Sequence, residues 1–157
     1  MAIWYRAHKK ASAAHVFSGD GGLFTAGRWN YQGRKVVYCA ASLALATVEW
    51  LAHNGLSVSG FTYHRFSIDI PDTLITLYTS NQLPTDWDAE PATSVSRDFA
   101  EQGLFAAANG PLAIAVPSVM IPEEFNLVIN PLHAQYVQVQ ATIKHLGQFT
   151  APRREES

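Results

Sequence analysis

The alternation of Phe66, Ile68 and Ile70 with Arg65, Ser67 and Asp69, halted at Pro71, narrows most sharply what this chain can fold into. A period of two puts the apolar side chains on one face of a strand and the polar ones on the other, and proline ends the ladder because it has no amide to donate. Further strand-like runs flank it. Ile3 to Arg6, Val36 to Ala40, Thr73 to Tyr78, Leu112 to Val116 and Asn126 to Ile129 all read as short strands. Val137, Val139, Ala141 and Ile143 alternate with Gln138, Gln140, Thr142 and Lys144, which predicts one more.

Two helices are expected among them. Ser42 caps one that runs to about His53 and stops at Asn54-Gly55; the other starts at Ser94 or Ser96 and continues to about Ala108, before Asn109-Gly110-Pro111. Strands outnumber helices, so the expected class is α+β, a mainly antiparallel sheet with short flanking helices. The stretch from Arg6 to Asn30 reads as a long connection with a turn at Ser18-Gly19-Asp20-Gly21-Gly22, and such a connection suits a site wall. Asn81 to Pro91, with Leu83-Pro84-Thr85-Asp86-Trp87, reads as a second loop, carrying an exposed aromatic. With 157 residues, one domain is expected over 1–150, followed by a frayed tail from 151 to 157.

Charge excludes some functions. Eleven Lys and Arg against 13 Asp and Glu leave a net charge of −2, which offers no broad cationic surface to a nucleic-acid backbone. The single Cys39 lies in an apolar run and reads as a buried, inert thiol in a reducing cytoplasm. No run reaches the ~18 apolar residues of a membrane span, and Met1 to Arg6 lacks a leader pattern, so neither membrane nor export is expected. Six histidines without paired spacing and one cysteine predict no metal site. Gly-x-Ser-x-Gly, Walker and Gly-x-Gly-x-x-Gly motifs are all missing.

Two features point to chemistry. Glu49 is the lone charge in Leu43-Ala44-Leu45-Ala46-Thr47-Val48-Glu49-Trp50-Leu51-Ala52, and a carboxylate in apolar surroundings either pairs with a cation, here Arg6 or Arg28, or serves a site. Gly27-Arg28-Trp29-Asn30 puts a permanent cation in a loop beside an aromatic that is able to hold it, an arrangement suited to an anion or to a surface arginine lying over Trp29. Taken alone, Ser118 after Val116-Pro117 and Asn130 before Pro131 read as turn residues.

The combination of Trp4-Tyr5-Arg6, Gly27-Arg28-Trp29-Asn30, Tyr38 with Ala40 and Ser42, Ala46 with Glu49, and Val116-Pro117-Ser118 through Asn126 to Asn130-Pro131 resembles the RES family, in order and in spacing, over about residues 3 to 143. Ala26 departs from the pattern, where relatives often have a second glycine. The resemblance implies a fold similar to that of ADP-ribosylating toxins and the activity of a bacterial toxin that cleaves the nicotinamide-ribose bond of NAD⁺. It implies Glu49, Arg28 and Ser118 as catalytic residues, with Arg6, Tyr38, Trp29, Asn30 and Asn126 binding substrate. Glu49 would stabilise an oxocarbenium-like state, Arg28 and Arg6 would hold pyrophosphate or an attacking inorganic phosphate, and Ser118 and Asn126 would bond near the departing base. No prosthetic group is implied. The acceptor of ADP-ribose is water, phosphate or a protein side chain, and the implied partner is an Xre-type helix-turn-helix antitoxin that blocks the cleft. Two other classes stay open: a ribonuclease toxin, disfavoured by charge, and a non-catalytic binding module.

Overall fold

A computed structural model of the protein describes residues 2–54, 62–106 and 109–150. Seven strands form one sheet in the order β4-β5-β6-β2-β1-β3-β7, where β1 is Ala2–His8, β2 Val37–Ala40, β3 Thr62–Ile70, β4 Ile75–Leu77, β5 Ala113–Pro117, β6 Phe125–Ile129 and β7 Lys144–Thr150. Among the described residues only β4 and β5 pair in parallel. The class is α+β with a mainly antiparallel sheet, as the strand-rich sequence predicts.

The period-two pattern sorts side chains between the two faces. Ile68 and Ile70 join Trp4, Val37, Cys39, Ala113, Ala115, Leu127 and Ile129 in the larger core, beneath α1 (Ala13–Val16) and α5 (Tyr136–Gln140), which add Val16, Tyr136 and Val139. Each fully buried Leu or Ile there contributes about 1.5–3 kcal/mol. The other face carries Tyr38, Ala40, Ile114, Val116 and Val128. It is covered by α3 (Leu43–Asn54), α4 (Ser94–Ala100), Trp29 and the segment from Leu83 to Trp87. Both cores lean on the same strands.

Helix α3 starts where the sequence places it. The Ser42 hydroxyl accepts from the Leu45 amide at 3.0 Å and donates to Glu124 Oε1 at 2.6 Å, so the cap also ties the helix to the β5–β6 connection. Leu45 and Ala46 then pack on Ala40 and Tyr5. Gly55, expected just past the helix, lies outside the described residues, as do 107–108 at the end of the second helix and the tail.

The structure corrects four local expectations. The alternation from Val137 to Ile143 does not form a strand: Tyr136–Gln140 is helical, because Tyr136 and Val139, three apart, are the residues that bury, while Val137 is 74% exposed. The Tyr136 hydroxyl fixes this by donating to the Phe17 carbonyl at 2.6 Å. Two one-turn helices, α1 and α2 (Gly21–Phe24), interrupt the long opening connection. The second helix is α only to Ala100 and then widens to a π turn over Glu101–Phe105, closed by the Ala106 amide on the Glu101 carbonyl at 2.8 Å. Trp87 is buried, stacked on Trp29 with ring centroids 5.9 Å apart.

Candidate active site

On the α3/α4 face, strand register draws a polar row across the sheet. Tyr5 pairs with Ala40, Ala40 with Asn126, and Asn126 with Val116, so these four side chains share one side, with Tyr38 two residues from Ala40 on the same side. The Asn126 amide and the Tyr5 hydroxyl have no hydrogen-bond partner among the described residues. Both are available to a ligand. Tyr5 was not singled out from the sequence, though alternation with buried Trp4 puts it on the face opposite the main core.

Glu49 reaches this row from above, one turn after Leu45 and Ala46 on the sheet-facing side of α3. Ser118, just past β5 and 1% exposed, donates its hydroxyl to Glu49 Oε1 at 2.8 Å. Ser118 Oγ in turn accepts the amides of Met120 and Ile121, each at 3.1 Å. A buried turn thus aims the carboxylate. Among the described residues no arginine or lysine forms a salt bridge with Glu49, so the simple ion pair with Arg6 or Arg28 is not what holds it.

The Gly27-Arg28-Trp29-Asn30 loop is held from beneath. Asn30 is buried and its Oδ1 accepts from the Gly27 amide at 2.8 Å and from the Tyr38 hydroxyl at 2.6 Å, while Nδ2 donates to the carbonyls of Thr25 and Tyr31. Tyr38 Oη also accepts the Trp29 amide at 3.2 Å. Burial pushes the Tyr38 hydroxyl above its ordinary range, so it remains a proton donor to Asn30. Asn30 therefore builds the loop, with both of its amide atoms engaged by protein. Trp29 anchors it, packed between Trp87 and Phe99.

Arg28 points to the rim of this face. Its Nη1 donates to the carbonyls of Trp87 at 3.0 Å and Ala89 at 2.8 Å, and its Nη2 pairs with the Glu90 carboxylate. Trp29 is not its clamp. Burial lowers the Arg28 pKa, and the charges of Asp88 and then Glu49 oppose that.

Arg6 lies elsewhere. It pairs with Phe66 in the register and shares the side of Trp4, opposite Tyr38, Asn126 and Glu49. Its Nε donates to the Val16 carbonyl at 3.1 Å and its Nη1 to the Tyr38 carbonyl at 2.8 Å, fastening α1 to β2. Cys39 beside it is buried, which raises the thiol to about 12. Of the eight residues expected in the site, Glu49, Ser118, Tyr38, Asn126 and Arg28 are gathered on one face, Trp29 and Asn30 support the loop of Arg28, and Arg6 is on the other side. Among the described residues no group of three or more His, Cys, Asp or Glu is arranged to hold a metal, and no helix is long and apolar enough to cross a membrane.

A family model described as the RES domain matches residues 3–150. The chain is 40% identical over 133 residues to the Prs ADP-ribosylating toxin of a Sphingobium species, covering 82% of this chain and 80% of that protein. It is 31% identical over 149 residues to Toxin Res of Yersinia enterocolitica, covering 95% and 97%. Among solved structures, the M. tuberculosis MbcT-MbcA toxin-antitoxin complex contains a chain that superposes with a TM-score of 0.67 at 19% identity, over 96% of this chain and 84% of that one. At that identity the likeness is one of fold.

Proposed function

Because the chain belongs to the RES domain family, we propose that it is a toxin that breaks the nicotinamide-ribose bond of NAD⁺. The observation that carries this reading is the Glu49 carboxylate, aimed by Ser118 over a sheet face where Tyr5 and Asn126 have polar groups without a hydrogen-bond partner among the described residues. As the C1′–N bond breaks, its electron pair leaves with neutral nicotinamide and positive charge develops on the ribose. A carboxylate held beside that carbon stabilises the charge, and does so most where water is excluded. Asn126 and Tyr5 supply a donor and acceptor set for the ribose or the base, and Arg28 a cation for the phosphates.

Water or inorganic phosphate then adds to C1′, with no prosthetic group required. The name of the 40% identical relative favours a second reading, in which a protein side chain is the acceptor. On this reading the toxin acts in the cytoplasm, where NAD⁺ is available, and a cognate antitoxin of the Xre helix-turn-helix type covers the cleft; the toxin-antitoxin complex of the fold neighbour supports an antitoxin partner. Purified protein incubated with NAD⁺, with and without phosphate, releases nicotinamide on this reading, and no release under either condition refutes it. Labelled NAD⁺ in a lysate separates the acceptors: a discrete labelled protein band marks transfer, and free ADP-ribose or its 1-phosphate marks hydrolysis or phosphorolysis.

A further inference from the structure

We infer that Glu90 is a built-in competitor for the substrate's phosphates, an internal carboxylate that occupies Arg28 until the ligand displaces it; this rests on the proposed NAD⁺-cleaving function. The guanidinium has five N–H donors, and both hydrogens of Nη1 are directed to the main-chain carbonyls of Trp87 and Ala89. These bonds are part of the loop's framework, since Trp87 is buried on Trp29 and the Ala89 amide is itself bonded to the Asp86 carbonyl. What remains for an anion is the edge made by Nε and Nη2, and the Glu90 carboxylate sits on its Nη2.

The two partners are held very differently. Arg28 is 15% exposed at its side chain and fixed by carbonyls, whereas the Glu90 side chain is 72% exposed and has no partner but Arg28 among the described residues. A pyrophosphate oxygen offers the guanidinium the same charge and acceptor geometry as the carboxylate, so the two compete for Nη2. Glu90 leaves for solvent at little cost, because it is already mostly in water. Held in place, it gives the empty site a neutralised cation and sets an affinity threshold for weakly charged ligands. A fold in which the competent, open state is only a fraction of the population binds more weakly by that fraction.

The test uses the Glu49→Gln background, so that bound NAD⁺ is not turned over, and reads the NAD⁺ dissociation constant from the fluorescence of Trp29 and Trp87. Adding Glu90→Gln is expected to tighten binding about 1.4- to fivefold, the range that an exposed ion pair sets. Asp88→Asn, which removes a neighbouring charge without touching that bond, is expected to give a smaller gain. Unchanged or weaker binding with Glu90→Gln, or an equal gain with Asp88→Asn, overturns the inference while leaving the proposed function standing, provided the unaltered protein releases nicotinamide. If the unaltered protein releases none, both fall together.

Discussion

Ser118 and Glu49 form a one-way relationship: the serine gives its only hydroxyl proton to Glu49 Oε1 and takes two backbone amides on its own lone pairs. Its orientation is set by the turn, so the carboxylate is aimed by main chain through a single oxygen. Ser118→Ala removes a hydrogen bond to a charged acceptor, about 1.5–3 kcal/mol, and leaves two amides unpaired. The expected outcome is a roughly 10- to 100-fold lower kcat for nicotinamide release, with KM for NAD⁺ little changed. A rise in KM at constant kcat would instead place Ser118 in substrate binding.

Gly27 has no room for a side chain. A Cβ there would stand 2.6 Å from Asn30 Oδ1 and 2.7 Å from the Tyr38 hydroxyl, the two atoms that hold the loop together. Gly27→Ala must therefore separate the bond between Asn30 and Tyr38 or shift Arg28, and a loss of about 1–3 kcal/mol of stability is expected. A lower Tm together with weaker NAD⁺ binding checks this. An unchanged Tm would mean that the loop relaxes freely, against the packing of Trp29.

These two arrangements show what the sequence could and could not reveal. Glu49 stood out because a lone carboxylate on an apolar helix needs a reason, and the strand that ends in Ser118 was visible as an apolar run. The link between them joins residues 69 apart, and nothing local encodes it. The alternation at Phe66 to Ile70 was legible because one face is fully buried; that at Val137 was misleading because Tyr136 and Val139, at helical spacing, are the residues that pack. Trp87 looked exposed in a polar segment, since its partner Trp29 is 58 positions away. Arg28 and Arg6 looked alike in sequence, yet strand parity sends Arg6 to the opposite face.

His8 gives the fold a dependence on pH. Burial first, then the charges of Arg6, His15, Lys9 and Lys10, lower it from an ordinary value of 6.5 to about 4, and its Nδ1 accepts the Lys10 amide at 3.0 Å only while unprotonated. Between those values the unfolded chain binds a proton that the folded one refuses, so this contribution is fully present above pH 6.5 and is lost as pH falls toward 4. Because the ring is partly exposed, screening limits the effect to about 1 kcal/mol. Urea midpoints at pH 7 and pH 5 should differ less in His8→Gln than in the unaltered protein. An identical difference would assign the pH dependence to other groups.

Arg6 separates a structural arginine from a substrate-binding one. Its guanidinium bridges the carbonyls of Val16 and Tyr38, on the side of the sheet away from Glu49, and burial lowers its pKa because desolvation penalises the charge, a cost that the bonds to those carbonyls offset. Lysine keeps the charge but not the fork that reaches two acceptors in different elements. Arg6→Lys is therefore expected to cost about 1–3 kcal/mol of stability by leaving a carbonyl unpaired, with KM for NAD⁺ near its original value at a temperature where the variant is folded. The Tyr38 carbonyl lies on the strand that carries the site, so a modest loss of kcat through that strand is compatible with this role. A raised KM with an unchanged Tm is not, and would mean that Arg6 reaches the phosphates after all.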